Sequence, residues 1–253
     1  MAQRIIITTP LLPLPWSKLS YEEIMTRSGG QLINDGRSSR VFHFADKNAT
    51  CFLKRYTYRK IHWKYCWQKS QVRREYENLK KIEQTGLDCG IIEILAYGEQ
   101  RRRRVISDAF LLSREVTDGE SLALYLSLNN DPAQRRIVLE KLFRLGQEIV
   151  KSGLAITDLF FRNIVVVPKT AELYLLDVQR CEYSKHRARV KSYPQYWSNV
   201  LLFCSPAEQT LAAKRLIPHL PYSTAELTKR AQQFIPKEKK RKAAELAFLA
   251  KNA

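Results

Sequence analysis

Two stretches decide how this chain is interpreted, namely TDLFFRN at residues 157–163 and LDVQR at residues 176–180. In the first, Asp158 is followed five positions later by Asn163. Apolar runs at residues 163–167 and 173–177 flank a turn at residues 168–170, a pattern that predicts a β-hairpin leading to Asp177. Taken singly, Asp and Asn often only cap turns. The spacing therefore has to be weighed together with the rest of the chain.

The first third of the chain predicts a sheet with one long helix inserted. From Lys69 to Thr85 apolar side chains recur at helical spacing, and Gly86 supplies a C-terminal stop. The basic run at residues 101–104 is interpreted as an exposed hairpin tip. Strands are predicted in two pairs, Arg40 to Ala45 with Thr50 to Tyr56, and Ile91 to Tyr97 with Val105 to Val116.

The second part of the chain is predicted to be mainly helical. Its helix signals are an opening at Asp118 and Gly119 with a helix to Leu128, a cap at Asp131 and Pro132 with a helix to Gly153, and the capping boxes SPAE (205–208) and STAE (223–226). The expected fold class is α+β, with two lobes. Residues 1–115 would form a lobe with an antiparallel sheet and one long helix, and residues 116–253 a mainly helical lobe.

Composition limits the partners and the compartment. The 43 Lys and Arg against 25 Asp and Glu give a formal charge of +18, which indicates an anionic partner such as nucleic acid, anionic lipid or a phosphorylated glycan. The five cysteines are widely spaced without a C-x-x-C pair, which argues against disulfides and zinc and for a reducing cytoplasm. Prolines interrupt the apolar start from Arg4 to Trp16, and no stretch approaches the roughly 18 apolar residues of a membrane span. We expect a soluble or peripheral protein.

Charged residues in the first third also suggest a site. Strand alternation places Lys54 on the same face as Phe52, toward a cleft or core, where a lysine needs an anionic partner. Glu75 on the following helix is the preferred partner, and Glu77 is the alternative, which would otherwise pair with Lys80 or Lys81. The stretch DGRSSR at residues 35–40 stands before the first hairpin strand, where backbone N–H groups of a tight turn can cradle phosphate oxygens.

The order of these elements is that of a two-lobed kinase, and the chain resembles the lipopolysaccharide kinase family, which phosphorylates heptose or Kdo residues of the core. The resemblance runs from about Gly36 to about Arg180, which is most of both lobes. The stretches that carry it are RSSRVF (37–42), FLKRY (52–56), REY (74–76) through Leu79, FLLSRE (110–115), Asp158 to Asn163, and the strand that ends in Asp177.

The resemblance implies ATP-dependent transfer of phosphate to a sugar hydroxyl, with ATP and Mg²⁺ as cofactors. Lys54 would hold the α and β phosphates, Glu75 would orient Lys54, and Glu115 would lie at the hinge, where neighbouring backbone would meet the adenine. The loop residues implied to cover the phosphates are Gly36, Ser38 and Ser39.

The same resemblance assigns the later residues. Asp158 would act as catalytic base, and Asn163 and Asp177 would be Mg²⁺ ligands. Ile156 stands where protein kinases usually have His, so one supporting hydrogen bond to the metal-binding segment would be missing. The D-F-G triplet reads Asp177-Val178-Gln179, and no A-P-E motif follows, which counts against a peptide substrate.

Two basic regions, at residues 185–191 and 214–242, would bind a phosphorylated lipid A headgroup or the anionic leaflet that contains it. A solvated basic face is the alternative interpretation. The expected partner is the lipopolysaccharide core glycolipid, with the anionic inner-membrane surface and without a specific nucleic acid. The expected location is the cytoplasm or the cytoplasmic face of the inner membrane.

Three other functions stay open from the sequence. A small ribosome-associated atypical kinase would use the same acidic residues, with the positive charge serving RNA and binding that depends strongly on salt. A pseudokinase would bind nucleotide without transferring phosphate. A nucleic-acid-binding protein would explain the charge but not the spaced acidic residues.

Overall fold

The computed structural model of the chain describes residues 2–8, 16–36, 39–46, 49–58, 64–129 and 131–252. Backbone contacts divide the chain into two compact units. Unit 1 comprises Met1–Glu77 and Ile92–Val116, and unit 2 comprises Asn78–Ile91 and Thr117–Ala253. The predicted division into residues 1–115 and 116–253 was continuous in sequence, whereas here a short internal segment belongs to unit 2.

Unit 1 is built on an antiparallel sheet. The elements are β1 (Ala2–Ile7), α1 (Tyr21–Thr26), β2 (Gln31–Asp35), β3 (Ser39–Asp46), β4 (Ala49–Thr57), α2 (Lys64–Trp67), α3 (Gln71–Glu83, which ends in unit 2), β6 (Ile94–Arg102) and β7 (Val105–Arg114). In the described part of the chain the strand order is β1-β6-β7-β4-β3-β2. The predicted first hairpin and the predicted long helix are both confirmed, as β3 with β4 and as α3.

The core of unit 1 lies on one face of this sheet. Leu53 on β4 and Leu112 on β7 stand opposite each other in register and are fully buried. Trp16 packs edge-on against Phe44 with ring centroids 5.1 Å apart. Gly98 on β6 faces Phe110, whose ring would lie 2.4 Å from an added Cβ, so only glycine fits there. Because alternate side chains point to opposite faces, Lys54 is directed away from this core.

The turn between β6 and β7 confirms the predicted basic hairpin tip. Arg102 pairs with Val105, so Arg103 and Arg104 form a two-residue loop, and their φ angles are 48° and 70°. Such a loop normally carries Asn-Gly, because other L residues are strained with positive φ. Each arginine in this conformation costs about 1–2 kcal/mol.

Unit 2 contains short strands and most of the helices. The elements are β5 (Gly90–Ile91), β8 (Glu120–Ser121), α4 (Leu122–Leu128), α5 (Pro132–Ser152), β9 (Leu154–Thr157), β10 (Ile164–Val167), β11 (Glu172–Leu175), β12 (Arg180–Tyr183), α6 (Lys185–Arg187), α7 (Tyr193–Phe203), α8 (Pro206–Leu216), α9 (Thr224–Ala231) and α10 (Ile235–Asn252). Among the described residues unit 2 has a sheet of order β5-β11-β10-β8 and the pair β12-β9. The predicted second hairpin is confirmed as β10 with β11.

The ends of α5 follow the predicted caps. Asp131 accepts hydrogen bonds from the N–H groups of Ala133 and Gln134, and Gly153 ends the helix with φ 68°. The helix predicted from Asp118 instead begins at Leu122, because Asp118 has a φ of 56° and residues 120–121 pair with β10. No helix in the described part of the chain is long and apolar enough to cross a membrane.

The C-terminal caps are only partly as predicted. Ser205 and Glu208 form the reciprocal capping box at the start of α8. At α9 the Ser223 hydroxyl accepts the N–H of Glu226, whereas the Glu226 carboxylate pairs with Arg230 instead of closing the box.

Candidate functional site

Lys54 and Glu75 meet within unit 1, as the strand alternation and the helix phase predicted. The Lys54 Nζ lies 3.4 Å from Glu75 Oε2, and the two side chains are 17% and 2% exposed. Lys54 Nζ also lies 5.3 Å from the centroid of the Tyr56 ring. A carboxylate this deeply buried requires a cationic neighbour. The pair therefore fixes the ammonium group in one position on the sheet face opposite the core.

Glu77, the alternative to Glu75, has other partners. Its carboxylate lies 2.7 Å from Lys69 Nζ and 3.0 Å from Arg73 Nε, rather than near Lys80 or Lys81. Burial acts to raise the pKa of Glu77, but the hydrogen bonds and charges of Lys69 and Arg73 outweigh it and lower the pKa. Glu77 thus forms ordinary ion pairs, with partners that lie one and two turns before it rather than one turn after it.

The segment before β3 forms a tight turn. The Gly36 N–H donates to the Ser39 carbonyl at 2.9 Å, and a Cβ on Gly36 would lie 3.0 Å from that same oxygen. Asp35 and Arg40 flank the turn and form an exposed ion pair of 2.9 Å. Ser38, which belongs to the predicted phosphate loop, lies outside the described residues.

Glu115 follows β7 directly. Its N–H donates to the Thr50 carbonyl at 3.0 Å, which extends the sheet by one residue. Its carboxylate Oε2 lies 3.3 Å from His43 Nε2. The side chain is therefore held against the sheet of unit 1, and any nucleobase contact at this position falls to backbone groups.

In unit 2, the structure brings Asp158, Asn163 and Asp177 into one cluster of loops. The Asn163 side-chain Nδ2 donates to the Asp158 carbonyl at 2.8 Å. The Leu176 N–H donates to the Asn163 carbonyl at 3.1 Å, so that Asp177 comes next to Asn163 across the β10–β11 hairpin. Asp158 and Asp177 have φ angles of 63° and 53°. Non-glycine residues in this conformation often occur at functional sites.

Helix α7 supports this loop through two buried amides that sequence reasoning missed. Gln195 Oε1 accepts the Asp158 N–H at 3.0 Å, and Asn199 Oδ1 accepts the Phe161 N–H at 3.1 Å. Asn199 Nδ2 donates in turn to the Gln195 carbonyl at 2.9 Å. Polar amides four residues apart in an otherwise apolar helix were the signal that could have revealed them.

The Asp177 segment has its own supports in unit 2. Gln179 Nε2 donates to Asp177 Oδ1 at 2.7 Å, and Asn78 Nδ2 donates to the Val178 carbonyl at 3.1 Å. Ile156, which stands where kinases usually have His, is buried in β9 opposite Cys181 of β12. A histidine at position 156 would have been expected to hold the Asp177 segment by a hydrogen bond. Here the pairing of β9 with β12 and the bond from Asn78 hold that segment instead.

An ion pair between a half-buried arginine and a buried glutamate connects the loop to the C-terminal helix α10. Arg162, next to Asn163, pairs with Glu238, and the two side chains are 24% and 4% exposed. Glu238 also contacts Arg241 at 3.1 Å, and the Arg162 guanidinium stacks 4.2 Å above the Phe160 ring. Burial lowers the pKa of Arg162, and the negative charges of Glu238 and Asp158 oppose this effect.

The oxygen atoms of Asn163 and Asp177 suit a hard divalent cation. Because Asn163 uses its amide nitrogen for the Asp158 carbonyl, its amide oxygen is turned away as an acceptor, and no described residue donates to it. Asp177, two residues after the end of β11, adds a carboxylate. Carboxylate and amide oxygens are the ligands that Mg²⁺ prefers, usually with waters and substrate phosphates completing the shell.

Comparison with known proteins gives one family and one fold. The family model described as lipopolysaccharide kinase (Kdo/WaaP) matches residues 23–195. A solved structure titled WaaP in complex with acyl carrier protein superposes with a TM-score of 0.61 at 14% identity, covering 95% of this chain and 98% of that chain. At this identity the likeness shows the fold, an α+β protein-kinase-like fold. No curated protein matches the chain.

Proposed function

Since the chain belongs to the lipopolysaccharide kinase (Kdo/WaaP) family, we propose that it transfers phosphate from ATP to a heptose or Kdo hydroxyl of the lipopolysaccharide core. One observation carries the proposal. The Asn163 side chain is bonded to the Asp158 carbonyl, and the Asn163 carbonyl is bonded to the residue before Asp177. The loop segments that carry these three residues are thereby held next to each other in unit 2.

In this proposal Asp158 receives the proton of the acceptor hydroxyl as its oxygen attacks the γ-phosphorus, and ADP leaves with the electrons of the broken bond. Asn163 and Asp177 hold Mg²⁺, which when bound neutralises charge on the phosphates. Gln195 and Asn199 position the loop, since they occupy its backbone N–H groups. The ion pair of Arg162 with the buried Glu238 holds the backbone next to Asn163 in place.

The nucleotide-binding roles fall to unit 1. Lys54 contacts the α and β phosphates, and Glu75 fixes the direction of the ammonium group through the 3.4 Å contact. The turn closed by Gly36 and Ser39, with Ser38, covers the phosphates. Because the Glu115 N–H is occupied by Thr50, we assign adenine recognition to the Glu115 carbonyl and to the following residue.

The proposed partners are anionic. The glycolipid acceptor carries negative groups and lies in the anionic leaflet of the inner membrane, which a chain with a charge of +18 would approach at its cytoplasmic face. The structural neighbour adds a partner that the sequence did not suggest, because it was solved with an acyl carrier protein. We propose that an acyl carrier protein also binds this chain, which co-elution of the two purified proteins would test.

The decisive experiment incubates purified protein with γ-labelled ATP, Mg²⁺ and core lipopolysaccharide. The test variant is Asp158→Asn, which tolerates the positive φ while removing the proton acceptor. Asp118→Asn is the matched control, because Asp118 also has positive φ (56°) but pairs with Lys169 on the surface. We expect wild-type and control proteins to label the glycolipid, and Asp158→Asn to lose at least about a thousandfold.

Two acceptors separate the sugars. Core that ends at Kdo should be labelled by a Kdo kinase, whereas a heptose kinase requires core that carries heptose. Equal labelling by wild type and Asp158→Asn would refute the assigned base. Nucleotide binding without transfer to either acceptor would favour the pseudokinase alternative, and phosphate transfer to ribosomal protein would favour the ribosome-associated one.

A further inference from the structure

Trp67 is the most exposed large apolar side chain of the described residues, at 85%. It ends α2, which packs on β7 in unit 1. Tryptophan is enriched at interfaces and in membrane-interface belts, where one end of the side chain meets an apolar phase and the other stays wet. The residues around Trp67 indicate which kind of partner this side chain would contact.

Arg101 ties this tryptophan to the tip of the β6–β7 hairpin. Its guanidinium donates to the carbonyls on both sides of Trp67, at 3.5 Å to Cys66 and 3.2 Å to Gln68. The same group donates to the Arg104 carbonyl at 3.1 Å and to the Glu99 carboxylate at 3.0 Å. The Arg101 guanidinium therefore connects the end of α2 to the hairpin turn, and the backbone of Trp67 is held beside that turn.

The turn itself carries uncompensated positive charge. Arg102, Arg103 and Arg104 are all exposed, and no ion pair of the described residues involves them. Arg103 and Arg104 keep the strained left-handed conformation, which Asn-Gly would adopt without strain. Strain kept at an exposed turn points to a use for the side chains rather than for the fold.

We propose that Trp67 with Arg102, Arg103 and Arg104 forms a docking surface for an anionic lipid bilayer. A tryptophan ring settles at the boundary between headgroups and acyl chains, and arginines bind the phosphates at that depth. The choice of a bilayer rests on the proposed function, whose acceptor is a membrane glycolipid. The surface is distinct from the basic C-terminal region on which the sequence placed membrane contact.

The test measures sedimentation of the full-length protein with sucrose-loaded vesicles in low salt, without ATP, so that its outcome does not depend on phosphate transfer. The vesicles contain phosphatidylcholine alone or phosphatidylcholine with phosphatidylglycerol. We expect binding to the anionic vesicles only, with a blue shift of tryptophan emission that Trp67→Phe abolishes.

The first variant combines Arg103→Asn with Arg104→Gly. It should weaken binding about 25-fold, since each arginine near an anionic surface contributes about fivefold. It should also raise the melting temperature, because it relieves the strained turn. Loss of binding with a gain in stability cannot come from misfolding. Trp67→Ala should weaken binding about tenfold.

Two control variants leave this surface intact. Tyr183→Ala removes another exposed aromatic side chain, on β12, and should bind as wild type. Replacing two exposed α10 residues, Lys239 and Lys240, with Ser removes as much charge elsewhere. If the α10 variant loses binding while the hairpin variant keeps it, the proposal is overturned. The proposal is also overturned if the protein binds neutral vesicles as well as anionic ones. It is overturned too if the protein binds a single-stranded oligonucleotide but no vesicles.

Discussion

Removal of Glu238 should destabilise the loop that holds Asp158, although Glu238 is far away in sequence on α10. Its carboxylate is 4% exposed and pairs with Arg162, which is itself 24% exposed. Glu238→Leu leaves the Arg162 charge without its partner inside the protein. Breaking a fully buried pair costs about 3–5 kcal/mol, and the partial exposure of Arg162 moves our expectation to about 3 kcal/mol.

The reverse change should cost less. Arg162→Met leaves Glu238 in contact with Arg241, so we expect a loss of about 2 kcal/mol. The double variant replaces the pair by two apolar side chains and leaves neither charge of the pair buried alone, so it should lose about 2 kcal/mol rather than the roughly 5 kcal/mol to which the two single losses add. The coupling energy of the cycle is then about 3 kcal/mol. Arg241→Ala is the matched control and should cost less than about 1 kcal/mol, because Arg241 is exposed.

The assay is urea unfolding followed by circular dichroism for the wild type, both single variants and the double variant. We also expect each variant to lose more phosphate transfer the more it is destabilised, because the loop that carries Asp158 becomes less ordered. If the effects of the two single changes add within about 0.5 kcal/mol, the pair is not coupled and α10 does not brace the loop. A larger effect of Arg241→Ala than of Arg162→Met would show that Glu238 acts through its exposed partner instead.

Three further predictions follow from local contacts. Gln195→Leu removes the acceptor for the Asp158 N–H, so kcat should fall at least about tenfold while the KM for ATP stays within about twofold; initial rates that change only in KM would contradict this. Asp131→Ala removes the cap of α5 and should cost about 1 kcal/mol in thermal unfolding, and an unchanged melting temperature would argue against the cap. Burial raises the pKa of the Cys89 and Cys204 thiols to about 12, so at pH 8 both should react with an alkylating reagent about a thousandfold more slowly than free cysteine does. Their reactivity should rise with pH toward 12, and rapid alkylation at pH 8 would refute the burial argument.

The parts of the fold that the sequence predicted are those with a local signal. The alternation in Arg40 to Ala45 and in Thr50 to Tyr56 predicted β3 and β4, and Asp131 with Gly153 marked both ends of α5. The pairing of Lys54 with Glu75 followed from strand alternation and helix phase, each read within about ten residues. Such patterns depend on neighbours in sequence, which a single chain displays directly.

The parts that were missed depend on contacts between distant residues. Strand β1 pairs with β6 about ninety positions later, and α1 follows a proline-interrupted segment that gave no periodic signal. The acceptors for the loop N–H groups lie on α7, more than thirty residues after Asp158. Tertiary packing decides which buried amide bonds to which backbone group. Helical spacing alone could show only that α7 carries polar side chains on an otherwise apolar face.

The left-handed backbone at Asp158 and Asp177 also says which mutations the protein can accumulate silently. Asn and Gly adopt that conformation at least as easily as Asp, so either could replace the two acids without harming the architecture. A homologue that has abandoned its reaction should therefore carry Asn or Gly at these two places rather than a random assortment. Those substitutions would identify catalytically inactive members of the family from their sequences alone.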